Sequence, residues 1–245
     1  MAIEPWRIAK VIRIQDETHN TRRYWLQVPE LENFDFRPGQ FVTLDLPIHE
    51  KKNKRWRSYS IASWPDGTNV FELVIVLLEG GLGTKYLFEE VKVGDELTFR
   101  GPQGVFTLPD ALEEDYYLIC TGTGIAPFRS MLHEVAVKNI PHTNVYLIFG
   151  TRTKDTLLYY AELTALSEQY PGIHYIPVLS REKWEGEHGY VHKVYMNIIQ
   201  SKKQGDTLPP AHFYLCGWRH MIDEAKKHIA EMGFDKKCIH QELYG

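Results

Sequence analysis

The sequence is short of cysteine: Cys120, Cys216 and Cys238 are scattered through 245 residues and odd in number. They make no metal-ligand spacing, no disulfide framework and no iron–sulfur cluster motif. An excess of positive charge is also lacking. Lys and Arg total 28 against 32 Asp and Glu, a net charge of −4, so the basic excess of a nucleic-acid binder is missing. No apolar run is long enough to span a bilayer, and residues 1–7 lack an apolar signal region. The expectation is a protein of the reducing cytoplasm with no integral membrane segment and no nucleic-acid partner. What is present is ordinary for a globular protein, 43% hydrophobic and 24% charged residues, with length for one large domain or two smaller ones.

The first hundred residues read as short β-rich runs between turn residues, at 7–14, 22–28, 40–46, 57–62, 70–77 and 96–100. Such spacing predicts a barrel or sandwich. The fourth run holds Arg57-Ser58-Tyr59-Ser60, followed by Ile61-Ala62-Ser63. Strand alternation places Arg57 and Tyr59 on one face and Ser60 on the other. A guanidinium beside an aromatic ring suits a ligand carrying both phosphate and a ring system, because Arg pairs bidentately with phosphate oxygens. A basic run, Lys51-Lys52-Asn53-Lys54-Arg55, precedes it and reads as a solvated loop, with docking of an acidic partner as the alternative. Three glycines in four residues, Gly80, Gly81 and Gly83, then Thr84 as a candidate helix cap, describe a loop opening a helix whose first amides attract anions. Gly101-Pro102-Gln103-Gly104 is expected to end the strand region as a rigid turn.

From residue 116 the period changes. Apolar strands at 116–120, 144–149, 174–179 and 213–216 alternate with helical patterns at 128–137, 156–169 and 221–232, which predicts a parallel sheet with right-handed crossovers. Ligands of such sheets bind beyond the carboxyl ends of the strands. The turn Thr121-Gly122-Thr123-Gly124-Ile125-Ala126-Pro127, the segment Gly150-Thr151-Arg152, the pair Ser180-Arg181 and the pair Cys216-Gly217 all fall at such ends. The turn is not the G-x-G-x-x-G fingerprint, since Pro127 stands where the helix should begin; its amides suit a diphosphate, with a plain structural turn as the alternative.

In order along the chain, R-S-Y-S, G-G-x-x-T-x-x-L, G-P-x-G, T-G-T-G-I-A-P-F-R-S, C-G-x-x-x-M and a late E-x-Y resemble the ferredoxin–NADP reductase family over essentially its whole length. The resemblance implies a two-domain fold: an antiparallel FAD-binding β-barrel at residues 1–112 and an α/β parallel-sheet NAD(P)-binding domain at 113–245. It implies that Arg57 pairs with the flavin diphosphate, Tyr59 lies against the isoalloxazine, Ser60 bonds near N5, and Ser58 belongs to the same contact motif. Gly81, Leu82 and Thr84 would hold the flavin phosphates, with Thr84 standing where serine is usual. Thr123, Gly124 and Pro127 would line the dinucleotide diphosphate site, and Arg152 lies at a neighbouring strand end. Cys216, with Gly217 and Met221 of its motif, would sit by the nicotinamide, and Glu242 and Tyr244 would complete the wall near the flavin. Ser60, Cys216, Glu242 and Tyr244 are the implied catalytic residues. Gly245 follows Tyr244, so the terminal carboxylate is displaced by one residue from the family pattern.

The implied cofactors are FAD, with FMN as the alternative, and NADPH, with NADH as the alternative. Ser180 and Arg181 offer hydroxyl and cation for a 2′-phosphate, and Tyr190 resembles the family's adenine-stacking tyrosine. Against this, His188 stands where NADPH-specific relatives often have lysine, and Trp184-Glu185-Gly186 is similar to NADH-using members. Three functions follow: a free-standing reductase of ferredoxin or flavodoxin, which is favoured; an NADH-using reductase component of an oxygenase; or a non-catalytic flavin or nucleotide sensor. Without an iron–sulfur motif in the chain, the acceptor's redox centre lies on another polypeptide or is a small molecule.

Overall fold

The computed structural model describes residues 4–244. The chain divides into two compact units, Met1–Thr107 with Arg129–Glu134, and Leu108–Phe128 with Val135–Gly245. Among the described residues, no helix is long and apolar enough to cross a membrane.

The first unit is a six-stranded antiparallel sheet formed by β1 (Trp6–Thr18), β2 (Thr21–Gln27), β3 (Phe41–Asp45), β4 (Trp56–Ser60), β5 (Val70–Val76) and β6 (Glu96–Gln103). Its order is β4-β3-β6-β1-β2-β5. Just past β4 the Ala62 amide donates to the Glu72 carbonyl of β5 (2.8 Å), which ties the two ends of the sheet into a barrel-like layer. Alternation decides what is inside: Ala9 and Val11 of β1 are buried while Trp6 and Ile8 are exposed. Phe34, Phe71 and Phe99 meet at the centre of the core, with ring centroids 4.9 to 5.7 Å apart. Helix α1 (Leu82–Glu89) buries Leu87 against this core, and the Tyr24 hydroxyl donates to the Leu87 carbonyl (2.9 Å). Burial pushes the Tyr24 phenol up to about 12. The expected turn at Gly101-Pro102 is instead part of β6, which runs on to Gln103 and pairs it with Phe41 of β3.

The second unit is a wholly parallel sheet. Its strands are β7 (Asp115–Thr121), β8 (Val145–Thr151), β9 (Ile173–Leu179), β10 (Glu187–His188), β11 (Ala211–Trp218) and β12 (Ile239–Tyr244), in the order β10-β9-β8-β7-β11-β12. The direction of winding reverses between β7 and β11, so the crevice where such sheets take ligands lies beyond those two strand ends. The connecting helices are α2 (Ile125–Val137), α3 (Tyr160–Gln169), α4 (Val191–Lys202) and α5 (Arg219–Glu231). Val194, Tyr195 and Ile199 of α4 and Ile222, Ala225 and Ile229 of α5 pack on Tyr117, Ile119, Phe213 and Leu215 of the strands. Helix α2 starts at Ile125, three residues earlier than its periodicity predicts, because Pro127 falls within the first turn, where a missing amide hydrogen breaks no helical bond. Helix α3 starts later than expected, at Tyr160, after a 3-10 turn at Lys154–Thr156.

Candidate functional site

In the first unit the site residues lie on β4 and at the start of α1. Arg57 and Tyr59 are half-buried on one face of β4, whereas Ser58 is exposed and Ser60 buried. The Arg57 Nη1 donates to the carbonyls of Lys54 (3.1 Å) and Trp56 (2.8 Å). Its stem lies so close to Gly83 that an added Cβ would come within 3.0 Å of Arg57 Cγ and 3.2 Å of Nε. Tyr59 packs on the barrel core, and burial raises its phenol far above the ordinary value, so the ring is neutral. Ser58 Oγ shares a 3.0 Å hydrogen bond with Thr43 Oγ1.

Thr84 is not the helix cap that the sequence pattern suggests. Gly81 occupies that position, and Thr84, in the first turn, donates its hydroxyl to the Gly81 carbonyl (3.2 Å) and accepts from the Leu78 amide (3.1 Å). The hydroxyl thereby braces the loop from within. The first-turn amides have no acceptor inside the helix, and Arg57 lies against that same turn. This is a cationic cradle at a positive helix end, and its donor chemistry fits the diphosphate of FAD.

Arg129, inside the T-G-T-G-I-A-P-F-R-S motif, clusters with this first unit. It is 4% exposed, donates to the Ala62 carbonyl (2.8 Å) and pairs with Glu72 (3.2 Å). Glu72 also accepts two bonds from Arg23 (2.7 and 3.0 Å). Sequence reasoning missed this network, which fixes the backbone just after Arg57–Ser60, because no local pattern announces a pair 57 residues apart.

In the second unit the turn after β7 meets the end of β11. A Cβ on Gly124 would stand 2.5 Å from the Cys216 carbonyl oxygen. Gly217, at φ +133°, has its own Cβ position 2.7 Å from Thr121 Oγ1. Neither position accepts a side chain, so two backbone segments close on each other at the reversal of the sheet. Thr123 is half-buried in this turn and Pro127 buried behind it. Cys216 is fully buried, aligned with Cys120 of β7 and with Glu242 of β12. Burial pushes the Cys216 thiol well up, reinforced by Glu242 and Cys120 and opposed by hydrogen bonding from Tyr244, so it is a neutral thiol. Glu242 and Tyr244 alternate onto one face of β12 and are half-buried. Trp218, aligned with Tyr244 and half exposed, has its Nε1 3.7 Å from the position a Cβ would take on Gly122. Sequence reasoning passed over it, although a tryptophan two residues beyond Cys216 is a signal.

At the neighbouring strand ends the Ser180 amide donates to the Thr151 carbonyl (2.9 Å) and the Arg181 amide to the Arg152 carbonyl (3.0 Å), so two exposed arginines share one rim. Tyr190, three-quarters exposed, stands at the start of α4. Met221 does not share that rim. It is 7% exposed and packs in the core of its unit.

Residues 8–108 match the oxidoreductase FAD-binding domain family and residues 118–227 the oxidoreductase NAD-binding domain family. Ferredoxin–NADP reductase B of Sorangium cellulosum is 31% identical, with 98% of each chain covered. The anthranilate 1,2-dioxygenase electron transfer component of Acinetobacter baylyi is 31% identical over 87% of this chain, which spans 60% of that relative. The crystal structure of a ferredoxin NADP+ reductase from Neisseria gonorrhoeae with bound FAD and NADP is 25% identical, with a TM-score of 0.81 over 97% of this chain and 98% of that one. The two sheets, their order and these matches together identify the chain as a member of the ferredoxin–NADP reductase family, a flavoprotein oxidoreductase with an FAD-binding and an NAD(P)-binding domain.

Proposed function

We propose that the protein is an NADPH-driven reductase of the cytoplasm that hands electrons singly to a ferredoxin or a flavodoxin, with FAD in residues 1–112 and the nicotinamide coenzyme in 113–245. Bound together, the two cofactors supply hydride transfer and its division into single electrons. The chain supplies binding and orientation. Arg57 and the α1 amides near Gly81, Leu82 and Thr84 hold the flavin diphosphate, and Ser58, Tyr59 and Ser60 contact the ring. Thr123, Gly124 and Pro127 receive the coenzyme diphosphate at the start of α2. Cys216 and Ser60 are small, which suits the close approach of about 3–3.5 Å that hydride transfer needs. As a neutral thiol Cys216 adds no charge there, and Gly217, Met221, Glu242 and Tyr244 complete the surroundings.

The observation that carries the NADPH assignment is the shared rim of Arg152 and Arg181 beside Ser180 (Arg181 amide to Arg152 carbonyl, 3.0 Å). Two guanidiniums suit a 2′-phosphate, with Tyr190 covering the adenine, while the Ser180 hydroxyl donates to the Thr151 carbonyl (3.2 Å) and steadies the rim. A second reading, an NADH-using oxygenase reductase, is favoured by Glu182, Glu185 and Glu187, which crowd the same loop with negative charge, and by His188. The acceptor assignment is tested by NADPH oxidation in the presence of purified ferredoxin, flavodoxin or ferricyanide. Turnover with at least one carrier protein is expected. Reduction of ferricyanide but of neither carrier overturns the acceptor while leaving the flavin chemistry standing.

A further inference from the structure

Beside the outer edge of the parallel sheet lies a cleft of about 430 Å³ that none of the residues assigned to FAD or the coenzyme lines. Three aromatic side chains line it: Tyr160 at the start of α3, Tyr175 in β9, and Trp184 in the loop before β10. The Tyr160 ring centroid is 6.3 Å from that of Tyr175 and 6.2 Å from that of Trp184, with planes inclined at 56° and 58°, so the rings form adjoining walls and not a closed stack.

The third wall is held in place. Trp184 Nε1 donates to the Glu187 carbonyl (2.8 Å), and the indole lies so close to Gly186 that an added Cβ would come within 2.4 Å of Cζ2. The loop is anchored on both sides. Glu187 and His188 pair in parallel register with Val178 and Leu179, and Glu182 accepts from the Lys154 amide (2.8 Å).

The charge on the lining residues of the cleft is of one sign. Glu185 and Glu187 are its only charged lining residues, and the nearby Lys154 ammonium is paired with Glu185 at 3.0 Å. The α3 hydroxyls are committed: Thr164 donates to the Tyr160 carbonyl (2.7 Å) and Ser167 to that of Thr164 (2.9 Å). The Tyr175 hydroxyl, by contrast, is buried with no hydrogen-bond partner.

We propose that this cleft binds a compact organic cation of the quaternary-ammonium class. The rings attract positive charge through their quadrupoles, and the carboxylates add to that attraction. A phosphate or carboxylate ligand would meet two glutamates with no free cation among the lining residues.

The test is calorimetric titration of the flavin-loaded full chain with choline and, in parallel, with 3,3-dimethylbutan-1-ol, which has the same shape without the charge. Choline is expected to bind at least about tenfold more tightly than the neutral analogue, the size of a single cation–π advantage. Trp184→Leu should lower choline affinity by about tenfold or more. Glu187→Gln, an exposed and isosteric change, should weaken choline and leave the alcohol unaffected, and it covers the case in which the tryptophan variant fails to fold. Equal affinity for the two ligands, no heat from choline at millimolar concentration, or choline binding indifferent to Glu187→Gln would each overturn the proposal.

Discussion

The two glycine-opened helix starts look alike in sequence, and the structure builds them by different means. At α1 the tight approach is to a side chain: Gly83 makes room for the stem of Arg57, so a cation is brought to the helix end. Thr84 braces the loop by bonding to its own backbone. At α2 the tight approach is to backbone: Gly124 makes room for the Cys216 carbonyl and Gly217 for Thr121. The first turn is thus organised around a charge and the second around the meeting of two strand ends.

The largest effect should come from breaking the charged turn. Under the proposed function Arg57→Ala removes a charge-assisted contact to the flavin diphosphate, and such contacts are each worth about 1.5–3 kcal/mol, or roughly 10- to 150-fold in affinity. The variant should leave gel filtration largely free of flavin, measured as the ratio of flavin to protein absorbance. Flavin content equal to the parent's would show that Arg57 does not hold the diphosphate.

The next prediction separates the two turns directly. Gly124→Ala forces a methyl group against a carbonyl at 2.5 Å, and the backbone on both sides has little room to yield. Overpacking of this kind costs about 1–3 kcal/mol, so the melting temperature should fall by several degrees. Gly83→Ala meets the flexible Arg57 side chain at 3.0 Å, so it should weaken flavin binding and lower the melting temperature less. Equal melting curves for the two variants would erase the distinction.

A smaller effect is expected at Cys216. Cys216→Ser keeps the size but alters a fully buried thiol, and a tenfold slowing of flavin reduction corresponds to about 1.4 kcal/mol. Single-turnover rates should fall while flavin content holds. An unchanged rate would return Cys216 to the role of a small core side chain.

The smallest effect concerns pH and belongs to the second unit. His174, His192 and His240 are all lowered from their ordinary value, chiefly by burial, with Glu224 opposing the shift at His192. A depressed folded-state value means that protonation favours the unfolded chain. The stability is therefore fully present above the ordinary value of about 6.5 and is lost as pH falls below it. Melting temperature should decline from pH 7 toward pH 5, and His192→Gln should flatten part of the decline. A profile indifferent to that change would remove His192 from the account.

Much of this was legible beforehand because it is local. Alternation through Arg57-Ser58-Tyr59-Ser60, the glycines before α1 and the placing of candidate residues at four strand ends all follow from spacing within a few positions. What escaped is non-local or atypical. Helix α4, Val191–Lys202, follows Tyr190 with no side-chain cap, so no start signal marks it, although Val191, Val194, Tyr195 and Ile199 recur at helical spacing. Strand β12 is a short edge strand of mixed polarity, held by register with β11 and not by its own composition. Strand β6 passes through Gly101-Pro102, residues that ordinarily end a strand, because Phe41–Asp45 of β3 pairs along it. The Arg23–Glu72–Arg129 network joins segments far apart in sequence, and Thr84 looked like a cap because its loop partners, Leu78 and Gly81, depend on how the loop turns.

The central claim, a flavin reduced preferentially by NADPH, is tested most directly by stopped-flow bleaching of the bound flavin with each reduced coenzyme, in the parent and in Arg181→Ala. The account predicts that NADPH reduces the parent's flavin at least about tenfold more efficiently than NADH, and that Arg181→Ala removes most of that preference. A parent reduced more efficiently by NADH, or a ratio untouched by the substitution, would contradict it.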